Sequence, residues 1–192
     1  ELERLRVQIR ELQQVRRRLE AELQESASSA TAPITTAAEL DSVLRRFMQK
    51  VAMIIRAEKT VLMLYEESAG ELVAQWPALG LNREEIEIFR VRATQGVSGQ
   101  VFREGRAVIV DDAMTDPRTV KENVALLHMR NALTVPLLIE RKDMDGKVVE
   151  KTTIGVFHAF NKRGGQRFTE EDVTLLTALA RNAAAVISSA KL

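Results

Sequence analysis

A chain of 192 residues and 21.5 kDa holds one domain with an attachment or two small domains, and its 45% hydrophobic and 29% charged residues are those of a globular protein. Cysteine is absent, which excludes disulfides, thiolate metal sites, cysteine nucleophiles and a thioether-linked chromophore. Lys and Arg total 28 against 27 Asp and Glu, and residues 1–25 balance six Arg with six Glu, so no basic segment marks a nucleic-acid or anionic-membrane binder. No apolar run approaches the roughly 20 residues of a membrane span, and the start at Glu1 suggests a piece of a longer, cytoplasmic protein.

Residues 1–25 repeat apolar residues every seven positions. Leu2, Ile9, Arg16 and Leu23 fall at a, and Leu5, Leu12 and Leu19 at d, a stripe suited to a dimeric coiled coil. Arg16 would weaken the seam and fix its register; the alternative is an amphipathic helix folded back on its own domain. Residues 26–35, uncharged and holding Pro33, form a linker that a continuous helix does not cross. Thr36 with Glu39 makes a capping box, and Leu40, Val43, Leu44, Phe47, Val51, Ile54 and Ile55 give the following helix one buried face.

Thr60 to Tyr65 and Glu71 to Trp76 alternate as two strands around the turn at Gly70. Pro77 to Glu85 is expected to be a loop with at most one helical turn, and Ile86 to Ala93 a third strand. Gly96 to Phe102 starts a short helix that Gly105 ends. Ala107 to Val110 is a short strand, and Asp116-Pro117-Arg118 turns the chain into a helix of about ten residues ending near Met129. Ala132 to Glu140 and Thr152 to Phe160 form a hairpin around Asp145-Gly146, and Thr169 with Asp172 caps a final helix running through Leu175, Leu176, Leu179, Ala183, Val186 and Ile187. The fold class is α+β on an antiparallel sheet.

Gly96-Val97-Ser98-Gly99-Gln100-Val101, Val108 to Asp112 with Asp116-Pro117-Arg118, Leu133 to Leu137, Ile154-Gly155-Val156, Asn161-Lys162, and Phe168 to Asp172 with Leu175-Leu176 together resemble the GAF domains, sensory relatives of PAS domains. The resemblance covers residues 36–190. It implies a six-stranded antiparallel sheet with terminal helices packed on one face and a ligand cavity on the other, in a regulatory module of a larger signalling protein, such as one of a two-component system, that dimerises through flanking helices and drives an output domain.

Some GAF domains that bind cyclic nucleotides carry an Asn-Lys…Phe-x-x-x-Asp-Glu pattern. Asn161, Lys162, Phe168 and Asp172 match it, and Val173 replaces the last acid. Lys162 and Asp172 are expected to form a structural ion pair between the last strand and the last helix. For a small-molecule ligand, a cyclic nucleotide among the candidates, Ser98 and the amides after Gly96 offer a helix N-terminus, unless the glycines serve only the turn. Asp111 and Asp112 leave a strand towards the cavity, one as a cap and the other as an acceptor. Asn123, His128, Arg130 and Thr134 supply further polar groups. The histidines raise a haem alternative with His128 as axial ligand and His158 as a hydrogen-bonded strand residue; covalent bilin is excluded with the cysteines. No metal cluster and no catalytic pair stand out, so a non-enzymatic sensor is expected, with a ligand-free dimerisation scaffold as the rival. In that rival Trp76, Phe89, Phe102, Met114 and Met129 fill the cavity.

Overall fold

The computed structural model of the chain describes residues 2–28 and 34–190. Helices α1 (Leu2–Ser28) and α2 (Ala37–Ile55) precede the hairpin β1 (Ala57–Glu66) and β2 (Glu71–Leu79). Then come α3 (Arg83–Ile88), β3 (Arg90–Arg92), α4 (Gly96–Glu104), β4 (Val108–Val110) and α5 (Lys121–Leu126). The long hairpin β5 (Ala132–Lys142) and β6 (Val148–Lys162) and the helix α6 (Glu170–Ser189) complete the fold. All six strands join one antiparallel sheet in the order β3-β2-β1-β6-β5-β4.

Side chains alternate across each central strand, so one strand feeds two cores. Leu62, Leu133, Val135, Phe157 and Ala159 face α2 and α6, whose apolar stripes cover that side of the sheet. Val61, Met63, Ala132, Val156 and Phe160 face the opposite side, beneath α3, α4 and α5. At the start of α2 the Thr36 side chain accepts from the Glu39 amide, but the Glu39 carboxylate accepts from the Thr35 amide at 3.1 Å, so the expected box is only half formed; Thr169 and Asp172 form a reciprocal capping box. Gly105, left-handed at φ 68°, ends α4.

The structure corrects four expectations. β2 runs through Trp76 and Pro77 to Leu79 instead of yielding to a loop at Pro77. The first three residues of the expected third strand, Ile86 to Ile88, belong instead to α3, held by a capping box between Asn82 and Glu85, and only Arg90–Arg92 pairs as strand. The helix expected to run about ten residues to Met129 is the six-residue α5, because His128 turns left-handed at φ 49°. α1 extends to Ser28, into the expected linker; residues 29–33, Pro33 among them, lie outside the described residues.

The seam of α1 divides into two parts. Leu2, Leu5, Ile9 and Leu12 are 53–69% exposed, far more than a helix packed along its length would leave. Arg16 instead reaches its own domain, pairing with Glu171 at the start of α6 and with Glu20 one turn on. The side chain of Leu23 lies outside the described residues.

Gly155 on β6 lies directly against β1, where it pairs with Leu64. A Cβ there would lie 2.0 Å from the Met63 carbonyl oxygen on β1, inside any tolerated contact. Gly155→Ala is expected to cost at least about 2 kcal/mol by forcing the two central strands apart. A thermal unfolding midpoint within about 2 °C of the parent would show that the sheet relaxes freely at this crossing.

Candidate functional site

Under α4 and α5, on the face of the sheet away from α2 and α6, lies a pocket with an empty volume of about 400 Å³, solvent space at its mouth included. Period-two alternation supplies its floor: His158 and Phe160 from β6, Ala132 and Thr134 from β5, and Val110 from β4. One wall is the first turn of α4, Gly96 to Ser98, and the roof is Thr119, Val120, Asn123 and Val124 around the start of α5. Gly96 permits this closeness: its φ is 68°, and a Cβ would lie 2.9 Å from the Val120 side chain. The turn Asp116-Pro117-Arg118 braces the roof from outside. Asp116 accepts from the Arg118 backbone amide at 2.9 Å and from its guanidinium at 2.7 Å, which holds the Asp116 carboxyl below the usual range.

The floor carries a polar array inside an apolar shell. His158 is 2% exposed, with Thr134 Oγ1 2.7 Å from Nδ1 and Ser98 Oγ 3.0 Å from Nε2. Met63 Sδ is a further 3.3 Å contact at Nε2. Sulfur can only accept, so the network assigns the ring proton to Nε2, which faces Ser98 and Met63, and Thr134 donates to Nδ1. Phe160 stacks on the imidazole at 5.1 Å between centroids and Phe89 lies at 5.8 Å. Burial pushes the His158 pKa down to about 3, so the ring is neutral at physiological pH. Every buried side-chain nitrogen and oxygen among the described residues has a partner.

Three of the seven expected ligand residues come together here: Ser98, Asn123 and Thr134 all line the pocket. The other four lie outside the lining. Asp111 is exposed, 3.8 Å from Arg167, and Asp112 accepts from the Met114 amide at 3.1 Å in a local turn. His128 is exposed, and its carbonyl accepts from Asn161 Nδ2 at 2.9 Å. Arg130 makes a bidentate pair with Glu58 at 3.0 and 3.2 Å, which holds the Glu58 carboxyl below its ordinary value. The sequence reading missed Thr119 and Val120 as lining residues, and the alternation Val156, His158, Phe160 on β6 was the signal that places the imidazole on the pocket side. Of the side chains expected to fill the cavity in a scaffold, Phe89 and Met129 do line it, Met114 is exposed, and Trp76 and Phe102 lie outside the lining.

Lys162 and Asp172 close the opposite face. Lys162 Nζ lies 2.8 and 3.0 Å from the two Asp172 oxygens and 2.8 Å from the Ile55 carbonyl, tying β6 to the ends of α6 and α2. Asp172 also accepts from the Thr169 amide at 3.0 Å. Neither residue lines the pocket.

A sequence model of the GAF domain family matches residues 37–188. The chain belongs to the GAF domain family. Among curated proteins, the Nif-specific regulatory protein of Herbaspirillum seropedicae is 27% identical over an alignment of 154 residues that covers 74% of this chain and 25% of that protein. The chain therefore spans about a quarter of that relative's length. Among solved structures, the GAF domain of an Acinetobacter phosphoenolpyruvate-protein phosphotransferase superposes with a TM-score of 0.67 at 18% identity, covering 91% of this chain and 93% of that one. The free methionine-R-sulfoxide reductase of Neisseria meningitidis, solved with its substrate, gives 0.66 at 20% identity over 92% and 90%. These structural likenesses establish the fold, and the family is one of sensory and regulatory domains; no helix among the described residues is long and apolar enough to cross a membrane.

Ser98 and His158 are within the distance of a nucleophile and its base, but the array runs the wrong way for that chemistry. Nε2 bears the proton where a base would need its lone pair, and Thr134 stands where a carboxylate would stabilise an imidazolium. The arrangement suits neutral hydrogen bonding to a bound molecule.

Proposed function

We propose that this GAF domain is a non-catalytic regulatory module that takes a small molecule into the pocket beneath α4 and α5 and relays its presence through the helices on the far face. The observation that carries this reading is the pocket floor: a satisfied, buried hydroxyl–imidazole–hydroxyl array at the bottom of an open apolar cleft. A cleft that served only to fill space would close over apolar side chains. The kinship with a Nif-specific regulatory protein supports a regulatory role.

The relay is a linkage argument. A ligand held between α4, α5 and the sheet favours one spacing of those layers, and the same strands carry α2 and α6 on their other face. Arg16, joined to Glu171 on α6, hands that packing to α1. The exposed Leu2, Leu5, Ile9 and Leu12 stripe is a parallel coiled-coil seam for a second copy, and the dimer passes the change to whatever output domain the full-length protein carries. Haem is not favoured: both ring nitrogens of His158 are engaged, and His128 lies outside the lining.

Native mass spectrometry of protein purified without denaturation tests this reading. The expected result is a dimer carrying extra mass, or one that gains it from the small-molecule fraction of a cell extract. A dimer that takes up nothing contradicts the sensor role. Leu5→Asp with Leu12→Asp, which places charge in the seam, is expected to weaken dimerisation by at least about 100-fold. An unchanged dimer would move the interface to other helices.

A further inference from the structure

The chemistry of the ligand follows from what the pocket lining lacks. None of the side chains around the cleft is a Lys, Arg, Asp or Glu, and its imidazole is buried between two hydroxyls and a thioether. The cations nearest in sequence to the roof are committed elsewhere. Lys121 donates to the Ala113 and Asp116 carbonyls, Arg118 pairs with Asp116, and Arg130 pairs with Glu58. A charged molecule entering here would give up hydration with no side-chain counter-ion; the N-terminal amides of α4 offset part of that for an anion, and nothing in the lining offsets it for a cation.

The same lining is rich in donors. With the imidazole proton on Nε2 and the Thr134 hydroxyl donating to Nδ1, the Ser98 hydroxyl receives a bond and its own proton is free to point at a ligand. The first-turn amides of α4 have no partner within the helix, and the wall they form carries the partial positive end of its dipole. The Asn123 carboxamide, half-buried at the roof, makes no side-chain hydrogen bond within the described residues and adds two further donors and an acceptor. Beside these donors stand the rings of His158 and Phe160, stacked within 23° of parallel, and of Phe89.

We propose that the pocket selects an uncharged ring compound bearing a carbonyl or amide acceptor, held flat against the Phe89–His158–Phe160 wall with its acceptor towards Ser98 and the first turn of α4, and that it discriminates against anions of the same shape. This rests on the reading of the cleft as a ligand site. It ranks a nucleoside cyclic phosphate below an uncharged ring compound, since the phosphate would meet the helix N-terminus but no side-chain cation.

Benzamide and benzoate share a ring and a carbonyl and differ in charge, which makes them the probes. Titrated into the full 192-residue chain and followed by amide chemical shifts, benzamide is expected to perturb Ser98, Asn123 and Thr134 and to bind about tenfold or more tighter than benzoate. Ser98→Ala should weaken benzamide by about tenfold with an otherwise unchanged spectrum. Asn123→Lys, a change at a partly exposed position, should invert the preference in favour of benzoate. Benzoate binding as well as benzamide in the parent protein would overturn the discrimination while leaving the cleft a ligand site. Shifts from neither probe at about 10 mM, or shifts scattered outside the cleft, would overturn the ligand class. The sensor reading itself stands or falls on the mass measurement above, so the two failures are distinct.

Discussion

Asp172→Ala is expected to lower the unfolding midpoint by roughly 6–20 °C. The substitution leaves the Lys162 ammonium buried against the Ile55 carbonyl with no counter-ion, and breaking such a pair from one side costs about 3–5 kcal/mol. It also removes the acceptor for the Thr169 amide, opening the N-terminus of α6. For a domain of this length each kcal/mol moves the midpoint by about 2–4 °C. The paired substitution Lys162→Met with Asp172→Leu should recover a substantial part of the loss, because no lone charge remains buried. Scanning calorimetry on the three proteins decides it. A single variant within about 2 °C of the parent would mean that water reaches the pair and that α6 is anchored by its apolar face alone.

The second large effect is a pH dependence. In the unfolded chain His158 titrates near its ordinary 6.5, and in the folded chain burial lowers it to about 3. Between these values the unfolded state binds the extra proton, so stability rises with pH through this window and is lost as pH falls through it. The slope is about 1.4 kcal/mol per pH unit for one group, which sums to roughly 4–5 kcal/mol across the window. The groups facing the ring (Ser98, Thr134, Met63, Phe89 and Phe160) do not titrate there. Glu58 and Asp116, held below their ordinary values, lose their stabilising charge only at more acid pH. Urea unfolding between pH 5 and 6.5 therefore isolates the histidine. The parent is expected to lose about 2 kcal/mol over that span, and His158→Gln to lack that slope. Equal slopes in the two proteins would show that His158 is reached by water and holds its proton in the folded state.

Local chemistry made the fold readable from sequence wherever a single residue type has one structural use. Thr36, Thr169 with Asp172, and Gly105 mark helix ends, and the alternating runs around Gly70 mark a hairpin. The region from Pro77 to Ala93 was less legible because Ile86, Ile88 and Val91 suit a strand as well as a short amphipathic helix. The Asn82–Glu85 capping box decides in favour of the helix, and it becomes decisive only once the chain has turned there. The length of α5 was hidden for a similar reason: the left-handed turn at His128 depends on Asn161, 33 positions away, which accepts from the Arg130 amide and donates to the His128 carbonyl.

The pocket was legible as a set of polar residues, but its floor was not. Ser98 and Thr134 are 60 and 24 positions from His158, and their meeting follows from strand register and from the seating of α4 on the sheet. Thr134 pairs directly opposite His158 across β5 and β6. Asp111, Asp112 and Arg130 drew attention because charged groups near a cavity suggest ligands. Local turn and ion-pair partners account for Asp112 and Arg130.

The most direct test of the ligand site is a crystal structure of the protein carrying the molecule that native mass spectrometry weighs. Density between α4, α5 and the sheet, with an acceptor atom within hydrogen-bonding distance of Ser98 Oγ, is the expected result. A ligand seated elsewhere, with Phe89 and Met129 closed over an empty cleft, would contradict it.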